Sequence, residues 1–502
     1  MARKKLLLIN PVNQLRRGFS NDPSTSFMPI GLGIVAALTP DTWDIELLDE
    51  SFEKCTLRPA DLVGLTAFTA NASRAYEIAA EFRQAGIPVV MGGIHASMIP
   101  EETAQYVDTV VVGEAETAWP ALLRDFESGT LKPLYNGGLA DVQSISPVRR
   151  DIFRYPYVYD LVQTSRGCPM GCDFCSVTQM CGKSYRERNV EDVLDELEKV
   201  TRPLIFFVDD HLVNNTRGAQ ERAIRLFKGM VQRGIRRMWF SQASLNFADN
   251  EEVLYWAGKS GCKLILMGIE ADNPEALADA KKRLNLKRGV DSFGQVFRKM
   301  NKQGIGVLGT LIFGFESDTR EALFRRRDYI LRSGIDAVQS SILTPLPGTT
   351  LFARMKAQNR IVYTDFPDDW RHFHFMHPTL GTAHLDTPEI ESVMKEIWLS
   401  IYNKENIRRM MFRTLWRTRS LKAAYWAYAS NHNYGRIALE EVIRSHPDGV
   451  DANMEWKNKP RSLYLRLTDW VMMLIYAVAW GKMLREMDAQ VRQSAGSPDP
   501  HV

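Results

Sequence analysis

The sequence predicts an α/β protein with a doubly wound N-terminal domain, a partial β/α barrel of six repeats and a helical C-terminal region. Two successive series of short apolar runs alternate with helix-like segments. A stretch rich in Gly, Pro, Ser and Asp divides the two series, and helical periodicity takes over from about residue 385. A chain of 502 residues is also too long for one core and implies two or three domains.

The first series is "KKLLLIN", "WDIELLD", "DLVGLTAF", "IPVVMGG" and "DTVVVGE", with helix-like "GLGIVAAL" and "ASRAYEIAAEFRQAG" between runs. Near-continuous apolar runs that end in Gly, Asn or Asp are the pattern of a parallel sheet covered on both faces. This places a doubly wound domain at residues 1–135 and a linker, "YNGGLADVQSISPVRRDIFRYP", at about 136–155. The second series, "YDLVQTS", "LIFFVDD", "RMWFSQA", "KLILMGIE", "GVLGTLIFG" and "AVQSSIL", places the barrel at 156–375. Functional residues of such a barrel belong at the C-terminal ends of its strands. Residues 385–490 read as helical, and 491–502 as a disordered tail.

The composition, 45% hydrophobic and 25% charged, is that of a soluble globular protein. A net charge of +3 gives no argument for a nucleic-acid partner. The apolar run near the N-terminus, "LLLI", is too short for a signal-peptide core. The longest apolar window, "WVMMLIYAVAW" at Trp470–Trp480, is too short to span a bilayer. A cytoplasmic protein without a transmembrane helix is expected. In a reducing compartment, clustered cysteines are metal ligands or catalytic groups rather than disulfides.

Three of the six cysteines lie in "SRGCPMGCDFCSV", where Cys168, Cys172 and Cys175 form C-x-x-x-C-x-x-C after a strand. The glycines let the backbone fold tightly enough for three thiolates to converge. Thiolates are the usual ligands of iron–sulfur clusters, and three leave one iron of a four-iron cluster open. A fourth ligand from Cys181 or Cys262 would instead allow zinc. Cys55 lies outside the barrel and reads as a plain thiol.

The cysteine motif, with Phe174 before its last cysteine and a β/α barrel behind it, resembles the radical S-adenosylmethionine (SAM) enzymes. The resemblance implies that the open iron chelates SAM, which the reduced cluster cleaves to a 5′-deoxyadenosyl radical. "MGIEADN", "GTLIFGFESDT" and "LTPLPGT" are similar to later strand ends of that family. By resemblance, Phe174, Gly268, Glu270, Gly309 and Gly314 line the SAM site. Glu270 also reads as a rim salt bridge, and the glycines as turn chemistry. "FFVDDHLVNNT" offers Asp209 and Asp210, with His211, as polar active-site groups or helix caps, and "FSQASLNF" offers Ser241 and Gln242.

The N-terminal domain resembles the cobalamin-binding module that precedes the barrel in a large subfamily of these enzymes, so that the two resemblances together cover about residues 4–370. "TAFTAN" stands where that module has its S-x-L motif, and Gly92 and Gly93 match its double glycine, which admits the nucleotide tail. The strand ends that would bind cobalamin carry Asn10, Thr66, Gly92, Gly93, His95, Gly113 and Glu114. The D-x-H-x-x-G motif that supplies a cobalt-binding histidine elsewhere is replaced by "NPVNQLRRG". This leaves His95 as a lower-face candidate or a plain loop residue. Absence of G-x-G-x-x-G after the first strand argues against a dinucleotide.

The resemblance implies a cobalamin-dependent radical SAM C-methyltransferase with a [4Fe–4S] cluster, SAM and cobalamin, reduced by a flavodoxin- or ferredoxin-type donor. The same apparatus serves cyclases, oxidoreductases and carbon–carbon coupling enzymes. A cobalamin or redox sensor and a zinc-stabilised binding protein are the readings of another class. The aromatic and basic stretch "RRMMFRTLWRTRSLKAAYWAYASN" fits a packed helix with a solvated basic face, or contact with nucleic acid, a membrane surface or an anionic amphiphile; together with the apolar "RSLYLRLTDWVMMLIYAVAWGKMLREM" it motivates a hydrophobic substrate of the lipid, isoprenoid or tetrapyrrole type. No single catalytic side chain is assigned.

Overall fold

The computed structural model describes residues 3–13, 27–145 and 147–444, and those up to Glu441 belong to one packed unit. The apolar window at Trp470–Trp480 and the tail at 491–502 lie outside the described residues. Among the described residues no helix is long and apolar enough to cross a membrane.

Parallel pairing of the first apolar runs builds one sheet from β1 (Lys4–Asn10), β2 (Trp43–Asp49), β3 (Leu62–Thr66), β4 (Val89–Gly92), β5 (Thr109–Gly113) and β6 (Leu134–Gly138). Its order, β2-β1-β3-β4-β5-β6, puts the topological switch between β1 and β3. The sixth strand, "LYNGG", runs past residue 135 into the stretch read as linker. Its glycines hide it from β propensity, yet a Cβ on Gly137 would stand 1.8 Å from the Glu114 carbonyl oxygen. Only glycine lets this edge strand approach so closely.

The second sheet is built from β7 (Tyr159–Val162), β10 (Leu204–Phe207), β11 (Met238–Ala243), β12 (Cys262–Glu270), β13 (Gly306–Phe313) and β14 (Ala337–Ile342). All six run parallel in the order β14-β13-β12-β11-β10-β7, an open barrel. Between β7 and β10, a short antiparallel hairpin pairs β8 (Ser165–Arg166) with β9 (Arg186–Glu187) and encloses the cysteine segment.

Six strands leave the barrel's edge and interior to be covered by other parts of the chain. Helices Thr387–Ile401, Lys404–Thr418 and Leu421–Arg444 follow the barrel, the first opened by a capping box between Asp386 and Glu389. The Asn431 amide accepts from the Val338 N–H at 2.9 Å and donates to the Asp336 carbonyl at 3.0 Å. The Tyr402 hydroxyl accepts from the Ser340 N–H at 3.2 Å and donates to the Val338 carbonyl at 3.1 Å. The free ladder groups of edge strand β14 are thereby satisfied by side chains.

Trp426 and Ala427 close the barrel's interior at one end against Phe240, Leu264, Leu308 and Ala337. Leu161, with the half-buried Phe206 and Val208, packs into the core of the N-terminal sheet and so continues that core into the barrel. Asn431→Ala is expected to expose unpaired buried groups at β14, costing about 1–3 kcal/mol. Faster amide exchange in β14 peptides by mass spectrometry is the check.

Candidate active site

The cysteine loop leaves β8 through Gly167 at φ +89, where a Cβ would stand 2.1 Å from the Ser184 carbonyl oxygen. Its ends are joined by the Cys168 N–H donating to the Gly182 carbonyl at 3.2 Å, and its last turn by Cys175 N–H to Cys172 at 3.3 Å. Burial raises all three thiol pKa values, that of Cys175 to about 12. Thiols in such surroundings ionise when a metal takes the proton's place.

Asp173 inside the motif is buried, accepts from Arg354 at 3.0 Å and offers its carbonyl to the Leu351 N–H at 3.0 Å. It fastens the loop to helix Thr350–Ala357, which follows β14. Phe174 beside it is half-buried.

Glu270 ends β12 in the left-handed region, at φ +64, where the ladder with β13 slips. Non-glycine residues are held there only when the surroundings demand it. Its carboxylate is held by Lys282, whose Nζ lies 2.5 Å from Glu270 Oε1. A Cβ on Gly268 would stand 2.5 Å from that carboxylate and 2.6 Å from Lys282 Nζ, so the glycine makes room for the ion pair. Burial pulls the Lys282 pKa down, but Glu270 and the Cys172 and Cys175 thiols outweigh it and hold the ammonium above its ordinary range. Asn285 donates to the carbonyls of Gly268 and Ile269 at 2.9 and 3.0 Å and fixes the bend.

Gly309 pairs with Met267, and a Cβ there would meet Ile335 at 3.1 Å, on the side of the helix layer. Gly314, at φ +95, donates with Phe315 to the buried Asp318 carboxylate, each at 3.0 Å. Asp318 is paired with the fully buried Arg326 at 2.7 Å.

At the end of β10, Asp209 is fully buried and accepts from the Thr164 N–H at 3.0 Å and the Ser165 hydroxyl at 2.5 Å. It braces the strand that leads into the cysteines. Burial, and then the charge of Asp209, raises the Asp210 pKa to about 6. Burial lowers that of His211 to about 4. The Ser241 hydroxyl donates to the Phe207 carbonyl at 2.8 Å, while Gln242 is half-buried.

In the N-terminal sheet, a cavity of about 240 Å³ lies between the strand ends and helix Ile30–Ala37. Its floor includes Gly64, Thr66, Gly92, Gly93 and Gly113 from three adjacent strands. A Cβ on Gly93, at φ +89, would stand 2.4 Å from Thr66 Oγ1. A flat group can therefore approach the backbone, and apolar Leu8, Ile34 and Val35 wall the slot. Gln163, Arg166, Met180 and Cys181 close it from the barrel side. The slot fits the nucleotide end of a cobalamin, which needs a narrow apolar cradle with backbone at its edge.

Glu114 lines the same cavity and is bound by Arg166 and Arg186. Asn10 is not part of the lining; its amide donates to Asp49 at 3.0 Å and holds the ends of β1 and β2 together. His95 is fully buried, with Nε2 3.0 Å from the Tyr76 hydroxyl, Nδ1 3.4 Å from Thr69 Oγ1 and its ring edge-on to Trp370. It too stands outside the lining.

A family model of the B12 binding domain matches residues 23–123, and one of the radical SAM superfamily matches 162–326. The bacteriochlorophyllide d C-12(1)-methyltransferase of Chlorobaculum tepidum is 31% identical over 392 residues, covering 75% of this chain and 83% of that protein. The chain belongs to the cobalamin-binding radical SAM enzymes. The hopanoid C-2 methylase of Rhodopseudomonas palustris is 26% identical over 68% of this chain and 67% of its own length. The methyltransferase TsrM from Kitasatospora setae, solved with cobalamin and a [4Fe–4S] cluster, shares the fold at a TM-score of 0.63 and 16% identity. That match covers 89% of this chain and all of TsrM. The cofactors of this radical SAM enzyme are a [4Fe–4S] cluster, SAM and cobalamin.

Depression of the His211 pKa from 6.5 to about 4 means that the folded chain resists a proton which the unfolded chain accepts. Stability from this group is complete above pH 6.5 and falls by about 3 kcal/mol as the pH drops through 4. His211→Gln should lose less stability than the parent over that window, as measured by denaturant unfolding of the two apo chains.

Proposed function

We propose that the protein is a C-methyltransferase acting on an unactivated carbon of a hydrophobic substrate of the tetrapyrrole, isoprenoid or lipid type. The observation that carries this reading is the 31% identity to a bacteriochlorophyllide methyltransferase across both domains. The geometry supports it, because the cavity that fits the nucleotide end of cobalamin and the cysteine loop lie against one another. Cluster, SAM and cobalamin together supply a substrate radical and a methyl group for it to take.

Cys168, Cys172 and Cys175 hold the cluster in this reading. Lys282 would offset thiolate charge and hold the Glu270 carboxylate in place to accept a hydrogen bond from the amino group of SAM. Phe174 and Gly314 would give SAM close backbone contacts, and Gly268 would serve it by leaving room for the Glu270–Lys282 pair. Thr66, Gly92, Gly93 and Gly113 cradle the nucleotide end of cobalamin. Gln242, Thr310 and Gln339 share the inner barrel face with Phe240 and Leu308 by strand alternation, and orient a mostly apolar substrate. A flavodoxin- or ferredoxin-type protein delivers the electrons.

Contact with a membrane surface is supported by Trp416, 71% exposed, and Leu421, 58% exposed, beside Arg419 stacked at 4.4 Å over the tryptophan. Flotation with anionic vesicles, lost in the Trp416→Ser/Leu421→Ser double variant, is the expected outcome. A parent chain left at the bottom of the gradient removes the membrane contact from the proposal.

Anaerobic turnover should release one 5′-deoxyadenosine and one S-adenosylhomocysteine per methylated product. Turnover without S-adenosylhomocysteine would sink the methyltransferase reading in favour of a cyclase or oxidoreductase. Reconstituted protein should carry about four irons per chain, and Cys168→Ala, Cys172→Ala and Cys175→Ala should each lose them. Cys55→Ala and Cys262→Ala should keep them, by iron and sulfide analysis.

A further inference from the structure

The seam between the cobalamin module and the cysteine loop centres on a buried carboxylate, Glu114. Glu114 directly follows Gly113 at the end of β5, and its side chain is 4% exposed. Its Oε2 accepts from Arg166 at 2.9 Å, from Arg186 at 3.0 Å and from the Ala140 N–H at 2.8 Å, and its Oε1 accepts from Arg186 again. Arg166 reaches Glu116 with its other arm at 2.7 Å. Arg186 donates to the Cys181 carbonyl at 3.0 Å.

The positions of these two arginines along the chain give the contact its meaning. Arg166 is the last residue of β8 and Arg186 the first of β9, the two strands that bracket the cysteine segment. One carboxylate of the N-terminal module therefore grips both ends of the loop. Glu114, Glu116, Arg166, Met180 and Cys181 also line the cavity floored by Gly92 and Gly93. Whatever fills the cavity packs against the grip itself.

We propose that Glu114 is a positioning residue that couples cobalamin binding to retention of the iron–sulfur cluster, by clamping the β8–β9 hairpin to the cavity wall. This rests on the cobalamin-binding reading above. A filled cavity holds the clamp closed and stiffens the loop; an empty one leaves Gly167 and Gly171, both in left-handed conformations, freer to open. Linkage requires the converse, so a loop ordered by its cluster tightens cobalamin binding, by the factor by which cobalamin raises the loop's equilibrium affinity for the cluster.

The test uses the full reconstituted chain under anaerobic conditions. Iron release to a chelator is timed with and without hydroxocobalamin, and the cobalamin Kd is measured with and without the cluster. In the parent chain, bound cobalamin should slow iron release, and the cluster should tighten cobalamin, each by about 5-fold or more. In Glu114→Gln both ratios should collapse toward one, whereas a merely structural loss would weaken both states alike and leave the ratios unchanged. Arg186→Lys keeps a cation beside Glu114 but loses the two-pronged hold, and should give intermediate ratios; it carries the test if Glu114→Gln does not fold. Parent chain that binds cobalamin without slowing iron release, or variants that keep the full ratios, overturn the coupling alone. Parent chain that binds no cobalamin overturns the cofactor reading and the coupling with it.

Discussion

A six-stranded barrel does not close, and the rest of the structure depends on how that opening is covered. The inner faces of β7, β10 and β11 present Tyr159, Phe206 and Phe240, which would meet water in an isolated barrel. Phe206 and Phe240 stack at 4.2 Å, and Trp426 from the last described helix meets Phe240 edge-on at 5.3 Å. From the other side the N-terminal sheet extends its own core onto Leu161 and Phe206. Apolar burial of this kind favours association without fixing its direction. Direction comes from polar groups that have one acceptable partner each.

Those groups are buried charges. Asp318 with Arg326, Glu50 with Arg74, Glu196 with Arg188 and Glu114 with Arg166 are all pairs in which both side chains are a tenth exposed or less. Such pairs add little net stability, because desolvation cancels much of the Coulomb gain. Their effect is that misplaced alternatives leave an unpaired charge in a dry seam. For an enzyme that brings three cofactors together, placement to within an ångström matters more than an extra kilocalorie of stability.

Much of the fold can be read in the sequence because its signals are local. Short apolar runs mark eleven of the twelve parallel strands, all but β6, and the cysteine motif states its own spacing. The features that resist such reading are long-range partnerships. Lys282 and Asn285 look like ordinary helix residues until the fold brings them beneath Gly268 and Glu270. Asp173 is hidden among the cysteines, although an acid inside a thiolate motif is itself a signal that a cation such as Arg354 stands nearby. His95 follows the double glycine and has the look of a ligand, but Trp370, from a loop after the barrel, and Tyr76 enclose it completely. Gly309 lies on an expected cofactor strand, and alternation turns its free side to Ile335.

The cysteine loop shows why long-range contacts had to carry the site. It needs glycine to turn tightly at Gly167 and Gly171, and glycine raises the entropy lost on ordering. A free loop of that composition would not hold three thiols in one arrangement. Three anchors from three parts of the chain fix the loop's backbone instead, and leave the thiols to be drawn together by the cluster: Asp209 just after β10 beneath its entry, Asp173 to the helix after β14, and Glu114 of the N-terminal module across both hairpin strands. Each anchor is a carboxylate receiving charged or hydroxyl donors, among the stronger hydrogen bonds available to a protein. The loop that binds the cluster is thus fully anchored only when the barrel's second strand, its last strand and the cobalamin module are all in place, and the chemistry of the site is tied to completion of the whole fold.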